Sequence, residues 1–197
     1  MSFMFVLFAL HAREKLMPIN HRIRYWLSCV LVIGLAQTAW AQTCKTKNML
    51  AMTPSDEFKS HQNGTVTHLK TGLMWQVCSV GQRWEKGSCQ GKANALTWQQ
   101  ALQWPAQVNN TKGYGGYKDW RLPNRKELKS LVEFRCYDPA INLKVFPNTP
   151  SDYYWSATPD PESHYGSFGV GFGRGEFFSD YRDDVYQVRL VRTATAP

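Results

Sequence analysis

The sequence predicts an α+β domain, with strands towards both ends of the chain and two helices between them. Three observations carry that prediction. Apolar and polar residues alternate at Thr65–Leu69 and again from Val185 to Arg192, as in half-buried strands. Thr97 and Asn124 read as helix N-caps, each with a Gln or Glu three residues on. Four cysteines lie beyond the N-terminal leader, and an even number in an exported chain predicts two disulfides.

Residues 1–41 read as an N-terminal extension and signal peptide. Met17 to Tyr25 is basic, Trp26 to Ala36 is an apolar run, and Ala39-Trp40-Ala41 is a small-x-small cleavage site. The run is shorter than the roughly 20 residues a membrane span needs, so no span is expected after cleavage. An apolar block, Phe3 to Leu10, precedes the basic segment. That order is wrong for a signal peptide and points to Met17 as the start. The product would reside in the periplasm, or outside the cell at the surface of a bacterium. The whole chain carries a net +8 at pH 7, to which the leader contributes four of 23 Lys and Arg and one of 15 Asp and Glu. The remainder is mildly basic with interspersed charges, which suits anionic glycans and argues against nucleic acid.

Residues 42–62 read as a polar arm anchored by Cys44, and residues 63–197 as the domain proper. Lys70-Thr71-Gly72 turns the first strand into a second, Leu73 to Val77, which carries Trp75. Val80 to Gly91 reads as a disulfide-clipped loop. Four cysteines allow three pairings. The preferred one joins Cys78 to Cys89 across a short loop, and Cys44 to Cys136, tying the arm to the end of the second helix. Trp98, Ala101, Leu102 and Val108 form the apolar face of the first helix. Pro105 predicts a break or kink at Trp104, because an interior proline costs about 3 kcal/mol. Thr111 to Lys118 reads as an exposed loop.

The next stretch, Asp119 to Leu128, organises the rest. Pro123 pushes Leu122 into extended geometry, Asn124 caps, and Glu127 bonds back to the cap. Leu128, Leu131 and Val132 then bury one face of a helix reaching Glu133. Trp120, Arg121 and Trp155 read as structural, with Arg121 a buried link between helix start and sheet. Beyond it, Tyr153 to Ala157 and Tyr165 to Gly173 read as strands. Arg174-Gly175 reads as a turn, Glu176 to Ser179 as the return strand and Asp180 to Asp184 as a charged loop.

Thr71-Gly72-Leu73-Met74-Trp75, the Asp119 to Leu128 stretch, Tyr154-Trp155-Ser156 and Val188-Arg189-Leu190-Val191-Arg192 together carry a resemblance. In order and spacing they resemble the Lcl C-terminal domain family, from about Thr65 to Arg192. The resemblance implies a C-type-lectin-like fold, with two helices packed on a small, mostly antiparallel sheet, long loops, and paired first and last strands. The Arg121-Leu122-Pro123 helix start also resembles the sulfatase-modifying-factor branch of that fold. That branch oxidises with free cysteines, and two disulfides would leave none here. The family takes its name from a collagen-like bacterial adhesin, which implies binding of sulfated polysaccharide and trimers. This chain has no Gly-X-Y tract, so the collagen route to trimers is absent.

Catalysis finds little support. His61, His68 and His164 sit in no nucleophile-elbow or metal pattern. No cofactor is assigned. Calcium stays open through Asp180, Asp183 and Asp184 in one loop and Asp160 and Glu162 in another, since hard oxygen ligands on loops suit it. The bland reading is a solvated acidic turn offset by Arg182. Sugars are held by aromatic faces and planar hydrogen-bonding groups, and sulfates by arginine forks. Tyr165, Phe168, Phe172, Arg174, Tyr181 and Arg182 gather such groups in the C-terminal hairpin and loop. Lys112, Tyr114, Tyr117 and Lys118 offer a second rim. Arg174, Arg182, Tyr181, Tyr165, Lys112 and Tyr114 are the candidate ligand contacts. The expected function is non-enzymatic adhesion to an anionic or sugar-bearing surface polymer. The alternative is a structural or assembly subunit of a cell-envelope or pilus-like complex that binds protein.

Overall fold

The computed structural model describes residues 42–194; the signal-peptide and start-site expectations lie outside the described residues. The chain runs through β1 (Thr43–Cys44), β2 (Phe58–His61), β3 (Thr65–His68), β4 (Leu73–Gln76), β5 (Arg83–Glu85) and β6 (Ser88–Gln90). It continues through α1 (Trp98–Asn109), α2 (Arg125–Lys129), β7 (Cys136–Tyr137), β8 (Tyr153–Pro159), β9 (Gly166–Gly171), β10 (Glu176–Tyr181) and β11 (Val191–Thr193). This is an α+β architecture of small antiparallel sheets and two helices. One sheet has the order β11-β4-β3-β2 and another β10-β9-β8, while β1–β7 and β5–β6 form two-stranded ladders.

The last strand pairs with β4, the second strand of the β3–β4 hairpin, and not with the first. The other edge of β3 is taken by β2, which comes from the stretch read as an arm. Phe58 explains why: its ring stacks on His68 of β3 at 4.5 Å and meets the buried Phe146 edge-on. A polar-looking segment thus carries one large apolar anchor into the core.

Both disulfides form with the preferred pairing, Cys44–Cys136 and Cys78–Cys89. The first ties β1 to β7, and the second clips the β5–β6 hairpin. Both helices start with a full capping box, Thr97 with Gln100 and Asn124 with Glu127. Pro105 does not break α1, which runs unbroken from Trp98 to Asn109. The proline forfeits one backbone bond, to Ala101, yet both residues are buried. The end of α1 is held from outside, because the Asn109 amide both donates to the Trp120 carbonyl and accepts its N–H. α2 is shorter than the apolar spacing predicts. After Lys129 the bonds tighten to three-residue spacing at Leu131 and Val132, and Glu133 N–H leaves to pair with the Ala140 carbonyl.

Arg121 does link the helix start to the sheet, exchanging both backbone bonds with Val191 at 2.9 and 3.0 Å. Its side chain, however, is 43 % exposed rather than buried. The guanidinium forks onto both Glu127 oxygens at 2.6 and 2.7 Å. The buried arginines are Arg189 and Arg192. Arg192 reaches Asp119 at 2.6 Å and lies over the Tyr117 ring.

Arg189 lies at the centre of the molecule. It is fully buried, and burial pulls its pKa down. It donates to the Gln76 and Val77 carbonyls, to the Thr149 hydroxyl at 2.7 Å and to Ser79 at 3.3 Å. Phe146 lies 4.9 Å beneath its guanidinium. Among the described residues it has no carboxylate partner. Carbonyl dipoles, hydroxyls and an aromatic face stand in for the missing counter-charge. This one side chain ties the end of β4 to the loop before β8 and to the segment entering β11.

The second sheet leans on this frame. Tyr154 pairs in parallel with Gln187, and α2 packs on β8 and β9. Gly169 in the middle strand is required by packing, since a Cβ there would lie 2.3 Å from the Phe178 ring. Bare backbone at this point lets Phe178, Tyr153, Trp155 and Tyr186 close into one aromatic cluster.

Candidate functional site

The N-terminus of α1 and the turn after β10 enclose an open groove of about 800 Å³. Backbone bonds fix its walls. Trp98 N–H donates to the Arg182 carbonyl at 3.0 Å, and Arg182 N–H donates to the Tyr165 carbonyl at 2.9 Å. Trp98, Leu102, Tyr165, Tyr181, Arg182 and Asp183 line it, together with Gln99 and His164. Tyr165 and Tyr181 are 74 % and 67 % exposed.

Arg182 is held from one side only. Its Nε donates to the Gly166 carbonyl at 3.1 Å and to the Ser167 hydroxyl at 3.0 Å. Its guanidinium sits 4.5 Å over the Trp98 ring, and the Trp98 indole N–H is itself fixed to the Ser156 carbonyl at 2.8 Å. The two terminal nitrogens of Arg182 take no partner among the described residues. A planar fork is thus oriented by the protein while its outer N–H groups stay available.

The acidic loop behind the groove is internally engaged. Asp180 accepts from the Tyr186 hydroxyl at 2.5 Å and from Tyr181 N–H at 2.9 Å, and the Tyr186 bond holds its carboxyl below the usual range. Burial, then neighbouring Asp180, pushes the Tyr186 phenol and the Asp184 carboxyl up. Asp160 is bonded to the Ser179 hydroxyl and to Glu162 N–H, which lower its pKa. These carboxylates brace turns, and among the described residues no group of three or more His, Cys, Asp or Glu gathers as a metal site would.

Three of the six candidate contacts meet in this groove: Arg182, Tyr181 and Tyr165. The other three do not. Arg174 lies at the β9–β10 turn, in a separate cleft with Phe134, Arg135 and Tyr137. Lys112 is exposed on the loop after α1. Tyr114 is half-buried, donates its hydroxyl to the Gly64 carbonyl and packs edge-on to Trp120; burial raises its pKa to about 12. Phe172 is buried core, and Phe168 lies under the Arg125 guanidinium at 4.3 Å. Trp98 and Leu102 read as apolar helix face in the sequence, yet they form the groove's wall. Trp98 directly follows the Thr97 cap, and first-turn residues are partly free of neighbours, which is the one signal that could have marked it.

Residues 64–192 match the family described as the Lcl C-terminal domain, and the chain belongs to that family. None of the curated proteins matches the chain.

Proposed function

We propose that this member of the Lcl C-terminal domain family is an exported, non-enzymatic recognition module of C-type-lectin-like type. Its ligand is an anionic or sugar-bearing surface polymer, bound in the groove beside α1. The observation that carries the reading is the half-used Arg182 fork set between two exposed tyrosines. Aromatic faces stack on sugar rings, and an arginine fork accepts a sulfate or carboxylate. Asp183 and Gln99 supply an acceptor and an amide for hydroxyl groups. The groove's volume falls within the range of small-molecule sites, and its openness to solvent suits a polymer threading through.

Two disulfides fit an oxidising compartment, and no helix among the described residues is long and apolar enough to cross a membrane. The disulfides support export. The test is an array of sulfated and uronate-bearing oligosaccharides probed at low and physiological salt. Signals that weaken with salt and disappear in Arg182→Ala and Tyr165→Ala support the reading. A blank array, or signals indifferent to both substitutions, contradicts it.

A further inference from the structure

A run of apolar side chains is held out in solvent beside a basic cleft, away from the groove. The Cys44–Cys136 disulfide pins the start of this segment. At its other end the buried Glu133 carboxylate accepts the N–H groups of Met52 and Thr53 and the Thr53 hydroxyl, at 3.1–3.2 Å. Between these anchors Met49, Leu50 and Met52 remain exposed, Leu50 at 90 %. Phe134 and Tyr137 are exposed as well, and Met49 shares a cleft with them. Exposed apolar side chains gathered in one patch mark interaction surfaces, and methionine adapts its shape to a partner.

Met49, Phe134 and Tyr137 share a cleft of about 430 Å³ with Lys45, Arg135 and Arg174. Its charge is one-sided. Lys45 and Arg174 make no ion pair among the described residues, and no carboxylate lines the cleft. Arg135 is partly offset by buried Glu133 at 3.5 Å. On its other side Arg174 borders a hollow shared with Asp138, Asp152 and Glu176, of which Glu176 accepts the Arg174 backbone N–H at 3.1 Å.

We propose that this cleft docks an extended acidic segment of a partner protein. Its carboxylates meet Lys45, Arg174 and Arg135, and an apolar or aromatic side chain between them enters beside Met49 and Phe134. The chemistry favours peptide over glycan. Phe134 and Tyr137 would serve a sugar ring as well as a side chain, but the Met49 thioether and the neighbouring exposed Leu50 offer sugar hydroxyls no hydrogen bonds and fit Leu or Phe side chains. The inference stands apart from the groove reading and uses none of its residues.

The test is fluorescence anisotropy of the full chain with a labelled short peptide alternating Asp with Phe and Leu. Its controls are a peptide with Lys in place of Asp and one with Ser in place of Phe and Leu. The expected result is salt-sensitive binding of the first peptide alone. Affinity should fall at least about tenfold in the Lys45→Glu/Arg174→Glu double variant and again in Met49→Ser/Leu50→Ser. It should be unchanged in Arg182→Ala. These surface variants should keep the wild-type melting temperature. Three results overturn the proposal. The first is no binding of the acidic peptide up to about 1 mM. The second is a sulfated oligosaccharide whose binding the Lys45→Glu/Arg174→Glu variant abolishes while the peptide's survives. The third is sedimentation showing that this variant converts a dimer into monomers, which would make the occupant a second copy of the chain.

Discussion

Arg189 and Arg182 are built from the same parts: a guanidinium, an aromatic ring under it, and backbone carbonyls and hydroxyls as acceptors. At Arg189 both terminal nitrogens are engaged by protein and water is excluded. At Arg182 only Nε is engaged, and the terminal pair lines an open groove. The difference teaches how to separate a structural arginine from a recognition arginine when neither has a carboxylate. What counts is which nitrogens the fold leaves over. Removing the first should damage the fold, and removing the second should damage binding alone.

The largest expected effect is therefore at Arg189. Arg189→Ala leaves the Gln76 and Val77 carbonyls and the Thr149 hydroxyl short of donors around a new cavity. It should cost at least about 3 kcal/mol in chemical denaturation under non-reducing conditions. Arg189→Lys should cost less but still be clearly destabilising, because an ammonium cannot span the same acceptors as a planar fork. A wild-type midpoint in either variant would dissolve the contrast with Arg182.

Much of this frame can be read in the sequence, and the exceptions have physical causes. Both capping boxes are visible because cap chemistry is local: Thr97 with Gln100 and Asn124 with Glu127 need only their own turn. Of three possible disulfide pairings, the sequence supports only a preference, from one short loop and one arm, and that preferred pairing is the one formed. Arg189 is not legible. In Val188-Arg189-Leu190 it occupies the polar place of an alternating strand, and only a third layer, Phe146 and Thr149, turns that side into interior. Arg121 shows the converse: its apolar neighbours Trp120 and Leu122 are buried, while its own side chain pairs with Glu127 at the surface. In the groove, Tyr165, Tyr181 and Arg182 are legible as loop residues rich in binding chemistry. Trp98 is not, because its wall is created by the turn after β10 folding back onto α1. The separation of Arg174 from Arg182 also depends on tertiary placement, since the two stand at opposite ends of β10.

The next effect in size sharpens the other side of the comparison. Arg182→Ala should lower affinity for an anionic glycan by about tenfold, the range expected for losing one charge-assisted fork. Its melting temperature should stay within about 1 °C of wild type, because a half-exposed side chain with two weak acceptors contributes little to folding. A large drop in melting temperature would move Arg182 into the structural class beside Arg189.

Arg121→Ala is expected to fall between these two in kind and below both in size. A half-exposed bidentate pair is worth about 0.5–1 kcal/mol, measurable by denaturant titration. A loss of several kcal/mol would mean that the Arg121 side chain, and not only its backbone bonds to Val191, holds the helix start to the sheet.

The smallest effect is a pH dependence, in which His68 and Glu127 illustrate an upper and a lower range. Burial holds the His68 pKa below its ordinary value despite Glu57 nearby. The folded state thus binds fewer protons than the unfolded one, so this stability is present above about pH 6.5 and declines as pH falls below it. Burial works to raise the Glu127 pKa, but the Arg121 fork and the Asn124 N–H prevail and hold it low. Its contribution is present above about pH 4.3 and is lost as pH falls further through the lowered value. Melting curves across this range should show both losses, the lower one shared with Asp160 and Asp180, whose carboxyls are also held low, and His68→Gln should remove only the upper one. A melting temperature that rises on acidification from neutral pH would contradict the His68 assignment.

The most direct test of the groove is a titration of a sulfated or uronate-bearing oligosaccharide, followed through the tryptophan indole N–H signals by NMR. The Trp98 indole, under the Arg182 guanidinium, should shift and saturate with the binding curve, while buried Trp120 and Trp155 stay in place. Saturable binding that moves other signals and leaves Trp98 unchanged would place recognition elsewhere on the molecule.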